Sequence, residues 1–120
     1  MKRLFALRGA AQCMNTEDDI GGQTALLYDE LLSANNLDET DIVSLVFSVT
    51  SDLNAVNPSA ALRKSGRAAD LALFTVSEAE TKGSLPRTLR ALVHCYLEEG
   101  SKPRHVYRNG AEILRPDRNR

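Results

Sequence analysis

The chain has 120 residues, 42% of them hydrophobic and 26% charged, and a formal net charge of −1. That is the composition of a folded globule, read here as one domain over residues 1–120 with a loose polar tail from about residue 116. A charge this near zero argues against a general electrostatic hold on nucleic acid or an anionic membrane, and no stretch reaches the ~20 apolar residues of a membrane span.

The opening, MKRLFALRGAAQC, is basic but has no apolar h-region, because Arg8 interrupts it. It is not expected to act as a secretory leader, so the expected compartment is the cytoplasm. Residues 3–12 predict a strand, with Arg3, Phe5 and Leu7 on one side and Leu4, Ala6, Arg8 and Ala10 on the other. Both faces are partly apolar, so burial on both is expected. Arg8 then sits among apolar neighbours, and a buried arginine without an anion is strongly unfavourable. Cys13 and Cys95 lack metal-ligand spacing and read as reduced, buried thiols. A disulfide is not expected outside a secretory context.

A helix follows. Asn15 or Thr16 suits its cap, Glu17, Asp18 and Asp19 suit the positive end of its dipole, and Asn35-Asn36 is a stop. Ile20, Thr24, Leu27, Leu31 and Ala34 recur at helical spacing. Gly21 and Gly22 each cost this helix about 1 kcal/mol relative to alanine. Residues 41–53, rich in β-branched side chains, predict a second strand. Residues 57–66 predict a short helix with Asn57 as cap and Pro58 in its first turn. Residues 71–78 predict a third strand that places Glu78 on a face with Ala72, Phe74 and Val76. Residues 82–87 carry Gly83 and Pro86 and read as a loop. Residues 88–99 are ambiguous: propensity leans to helix, whereas alternation would group Arg90 with Thr88, Leu92 and His94. Residues 104–108 and 111–115 predict two short strands joined in a hairpin at Asn109-Gly110.

Standard catalytic sets are missing from the sequence. His94 and His105 are not spaced as a metal pair, and there is no H-E-x-x-H, G-x-S-x-G or glycine-rich phosphate loop. What remains is Arg8, Arg63, Arg90 and Arg115 in or beside apolar contexts, with Glu78 at the end of an apolar strand face and Tyr107 nearby. Guanidinium forks suit carboxylates, so several in one cleft imply a ligand with more than one carboxylate. The plainer alternative is surface arginines whose stems cover apolar area.

LRGA at 7–10, SVTSDLNAVNP at 48–58, GSLPRTLRAL at 83–92, RHVY at 104–107 and LRPD at 114–117 fall in one order and spacing. In this the chain resembles the monofunctional bacterial chorismate mutases of the small trimeric type, from Arg8 to Asp117. The resemblance implies an α+β fold. A mixed sheet of about five strands packs on one long and one short helix, and three chains assemble as a pseudo-α/β barrel. It makes residues 88–96 a strand, against local propensity. It implies an isomerase that rearranges chorismate to prephenate in phenylalanine and tyrosine biosynthesis, with no metal, cofactor or covalent intermediate. Its homotrimer would hold the active sites between subunits.

Roles follow by the same resemblance. Arg90 would meet the breaking ether bond and a carboxylate. Arg8 would bind a carboxylate beside Tyr107. Glu78 would accept from the ring hydroxyl, which Thr75 would also reach. Arg63 would guard the mouth, and Leu114 and Arg115 would close over the ligand. Position 57 is Asn where an aromatic residue is common, position 60 is Ala where some members carry a basic residue, and position 75 is Thr where cysteine or serine is common. Three other readings compete. One is a small enamine/imine deaminase trimer with an arginine in its intersubunit cleft. Another is a non-catalytic module that binds chorismate or another dicarboxylate. The third is a structural role in which the arginines pair with Glu78 and Glu80.

Overall fold

Residues 1–114 are described by a computed structural model. They form strands β1 (Lys2–Gln12), β2 (Ile42–Val49), β3 (Leu73–Ser77), β4 (Thr88–Glu98) and β5 (Val106–Arg108), with helices α1 (Glu17–Ala34) and α2 (Pro58–Lys64). Two 3-10 turns, Glu39–Asp41 and Ala111–Leu114, complete the set. The strands make one sheet in the order β3-β2-β4-β1-β5. β4 is antiparallel to both β1 and β2, while β3 and β5 join the two sides as parallel edge strands. The expected α+β architecture is therefore present.

The long helix starts where the sequence places its signals. Thr16 is the N-cap and its hydroxyl accepts from the Asp19 N–H at 3.1 Å. Ile20, Thr24, Leu27, Tyr28 and Leu31 are buried against the sheet. The helix runs unbroken through Gly21 and Gly22. Gly9 lets it approach β1 closely: a Cβ there would lie 2.9 Å from Leu27 Cδ1 and 3.1 Å from Leu31 Cδ1. Asn57 caps α2, accepting from the Ser59 N–H at 2.9 Å.

Residues 88–98 are strand, and the reason is tertiary. Leu89, Ala91, Val93, Cys95 and Leu97 alternate into the core beneath the helices. They share it with Leu7 of β1 and Leu45 and Phe47 of β2. Fully burying each large apolar side chain contributes ~1.5–3 kcal/mol, which outweighs the few tenths by which propensity favours helix.

Two expectations change. β1 is buried along one face but only near its end on the other: Leu7, Gly9 and Ala11 lie under α1, while on the opposite face Leu4, Ala6 and Arg8 are exposed and Ala10 is buried. Both helices lie on the same side of the sheet, so the other side is left largely open. The hairpin at Asn109-Gly110 does not form. Both residues have the positive φ such a turn demands, 53° and 104°. Yet β5 pairs with β1, and residues 111–114 turn into a 3-10 segment. That segment buries Ala111 against Ala10 and Tyr107, with Leu85 and Leu114 packed around them. Folding back over the sheet removes this apolar surface from water, which a second edge strand would not do.

Candidate active site

A cavity of about 380 Å³ opens on the uncovered side of the sheet. That size is typical of a small-molecule cleft. Its floor comes from three adjacent strands: Arg8 on β1, Val46 and Ser48 on β2, and Arg90 and Leu92 on β4. Tyr107 and Leu114 form one wall. Register places these side chains together. Arg8 lies opposite Leu92, Ala10 opposite Arg90, and Ser48 opposite Arg90. Arg8 and Arg90 are thus diagonal neighbours on one face, with Cα atoms about 7–8 Å apart.

Each arginine is held differently. The Arg8 backbone N–H donates to His105 Nδ1 at 2.9 Å, while its side chain is exposed and forms no ion pair among the described residues. Arg90 Nε is buried, has no hydrogen-bond partner among the described residues and lies 3.6 Å from Glu78 Oε1, a long ion pair. The same Glu78 oxygen accepts from Ser48 Oγ at 2.5 Å, and the Glu78 N–H donates to the Val49 carbonyl at 2.9 Å. Glu78 therefore stands at the cavity's rim, beside Arg90 but not closed onto it. Two permanent cations against one carboxylate leave the cavity positive, and Val46, Leu92 and Leu114 make it locally apolar. Such a site strengthens each charge contact relative to water.

The start of β4 is clamped. Arg87 has a φ of 47°, and its N–H donates to both Asp52 carboxylate oxygens at 3.1 Å. Asp52 also accepts from the Thr50 hydroxyl at 2.5 Å, and that hydroxyl oxygen accepts from the Thr88 N–H at 2.9 Å. The Thr50 hydroxyl above all holds the Asp52 carboxyl below its ordinary value against the opposing effect of burial, with the Arg87 N–H adding to it. The clamp ends two residues before Arg90 and anchors the start of the strand that carries it.

Of the residues singled out from sequence, Arg8, Arg90, Tyr107 and Leu114 line this cavity, and Glu78 borders it through Ser48 and Arg90. Thr75 and Arg63 lie elsewhere. Thr75 sits beside Phe47 on the helix side of the sheet, donating to Asn57 Oδ1 at 2.8 Å and lying 2.6 Å from Ser59 Oγ. Arg63 Nη2 donates to the Leu71 carbonyl at 2.9 Å. Arg115 lies outside the described residues. Sequence reasoning passed over Val46, Ser48 and Leu92. Strand alternation was the available signal for β2, since it puts Ser48 on the face opposite Phe47. Cys13 and Cys95 are free and buried, and burial pushes the Cys13 thiol up to about 12. Among the described residues no cluster of three His, Cys, Asp or Glu is placed to hold a metal ion, and no helix is long and apolar enough to cross a membrane.

The family profile described as chorismate mutase type I matches residues 4–118. Chorismate mutase AroH of Thermus thermophilus is 32% identical over 117 residues, covering 92% of this chain and 95% of its own. Chorismate mutase AroH of Bacillus subtilis is 28% identical over 113 residues, covering 92% and 89%. The solved structure of a chorismate mutase from Clostridium thermocellum superposes with a TM-score of 0.86 at 38% identity, over 92% of this chain and 99% of that one.

Proposed function

The chain belongs to the type I chorismate mutase family, and from that premise we propose that the cavity carrying Arg8 and Arg90 is where it converts chorismate to prephenate. The conversion serves aromatic amino-acid biosynthesis. It is an intramolecular rearrangement: one C–O bond breaks, one C–C bond forms, and no atom enters or leaves. A catalyst therefore has two tasks. It holds a flexible dicarboxylate in its compact reactive shape, and it stabilises negative charge that develops on the ether oxygen as the C–O bond breaks.

The observation that carries the assignment is the pair of guanidiniums on neighbouring strands facing one apolar-walled cavity. Arg90 takes the ether oxygen and one carboxylate, because its partly buried fork is fixed by the clamped start of β4. Arg8, exposed and unpaired, takes the other carboxylate beside Tyr107. Glu78 accepts from the ring hydroxyl and offsets the surplus positive charge. Leu114, on the 3-10 segment, covers the ligand together with Arg115.

Thr75 and Arg63 belong to the opposite side and edge of the sheet, so within one chain the sheet separates them from the cavity. They complete the site as contributions from a neighbouring chain in a homotrimer. The open face supports that reading: Leu4, Phe74, Val76 and Tyr96 are large apolar side chains left 41–67% exposed on it. An uncovered apolar sheet face of this kind marks an association surface. Residues 1–120 act as one domain, and we place the reaction in the cytoplasm, consistent with two free buried thiols.

The test follows chorismate by ultraviolet absorbance. The wild-type chain is expected to consume it, with prephenate as sole product. Arg90→Ala is expected to lose at least about 100- to 1,000-fold in kcat. Equal turnover by both proteins would remove Arg90 from the centre of the reaction.

A further inference from the structure

We propose that Ser48 is a positioning residue that keeps Glu78 from closing onto Arg90. The inference rests on the site assignment above and gives a role to a residue that opens the SVTSDLNAVNP segment but to which the resemblance assigns none. Three observations converge on it. Ser48 Oγ donates to Glu78 Oε1 at 2.5 Å, a separation typical of a hydroxyl bonded to a carboxylate. The same Oε1 stands 3.6 Å from Arg90 Nε, beyond hydrogen-bond reach. Among the described residues, Arg90 Nε is itself buried without a hydrogen-bond partner.

An unpaired buried N–H next to a carboxylate is an unfavourable arrangement. A movement of Glu78 by under about 1 Å would give it a normal charge-assisted bond to that nitrogen. Ser48 opposes the movement. It lies opposite Arg90 in the β2–β4 ladder and opposite Val76 in the β2–β3 ladder, on the strand between Arg90 and the segment that leads into Glu78, and its hydroxyl holds the Glu78 oxygen that faces Arg90. The Glu78 backbone cannot provide the restraint alone, because its N–H bond to Val49 fixes the main chain and not the carboxylate. With the hydroxyl in place, Glu78 keeps its second oxygen for the substrate hydroxyl, and the Arg90 fork stays turned toward the cavity. Without it, the long ion pair shortens into a hydrogen bond and draws that fork toward Glu78 before substrate arrives.

The experiment measures kcat and KM on chorismate for Ser48→Ala, Ser48→Thr, Glu78→Ala and the double variant Ser48→Ala/Glu78→Ala. Ser48→Ala is expected to lose roughly 10- to 100-fold, mostly in kcat. Ser48→Thr, which keeps a hydroxyl on a strand-compatible side chain, is expected to restore most of the rate. The Ser48→Ala change should have no further effect once Glu78 is alanine. Wild-type kinetics for Ser48→Ala beside a crippled Glu78→Ala would overturn this inference and leave the site assignment standing. An undiminished Ser48→Ala loss in the Glu78→Ala background would overturn it too, because Ser48 would then act on something other than Glu78. Full activity in Glu78→Ala would instead strike at the site assignment itself.

Discussion

Arg8 and Arg90 face the same cavity, but their surroundings predict different kinetic signatures. Arg8 is exposed and its side chain forms no ion pair among the described residues, so that side chain contributes to binding a carboxylate in ground and transition states alike. Arg8→Ala is therefore expected to raise KM roughly 10- to 100-fold, with a smaller change in kcat. Its thermal midpoint should stay at the wild-type value, since an exposed side chain without an ion pair supports little of the fold. A large drop in kcat at constant KM would contradict the division of labour between the two arginines. Legibility at this scale was uneven. Alternation alone set Glu78 on a face with Phe74 and Val76, and so put Thr75 on the other face, as the structure has it. Arg90 stood out by its apolar context, but its strand was readable only through the resemblance, because the local sequence of β4 favours helix and burial on its far side decides otherwise. Ser48 lay inside a quoted motif, yet serine carries no hydrophobic signal and its value is visible only once Glu78 and Arg90 flank it.

The elements that matter most to the site are the ones whose geometry depends on distant partners. The entry into β4 relies on Asp52, whose carboxylate receives the Thr50 hydroxyl and the Arg87 N–H. Its lowered proton affinity in the folded chain fixes the sign of a pH effect. The stabilisation is fully present above the ordinary aspartate value of about 3.9 and is lost as pH falls through the lower, folded value. Urea midpoints for the wild type and Asp52→Asn should differ most near neutrality and converge in strong acid. A gap that stays constant from pH 7 to pH 2 would show that the Asp52 charge has no part in the clamp. The caps of α1 and α2 were legible because Thr16 and Asn57 act within a few residues of themselves. The fate of residues 109–114 was not. Asn109-Gly110 makes the tight turn its sequence specifies, and at Gly110 a Cβ would fall 2.2 Å from Gln12 Oε1. Whether a strand or a 3-10 segment follows is set by burial against Ala10 and Tyr107, which is long-range information.

At the scale of the whole molecule, one face of the sheet carries both helices and the other carries the cavity and a set of exposed apolar side chains. Periodicity alone suggested that β1 would be buried on both sides, and in an isolated chain Leu4, Ala6 and Arg8 of its outer face are exposed. The proposed homotrimer would reconcile the two, because neighbouring chains would cover Leu4, Val76 and Tyr96 while bringing Arg63 and Thr75 to the cavity of the next chain. The central claim is that chorismate is rearranged at Arg90 in a site two chains share, and mixed trimers test it directly. Arg90→Ala and Arg63→Ala chains, each impaired alone, would be co-expressed with different tags and purified through both. In every such mixed trimer one of the three sites combines an intact Arg90 with an intact Arg63, so about one-third of the wild-type rate is expected to return. Mixed trimers no more active than the parent variants would contradict a shared site and return the whole of catalysis to a single chain.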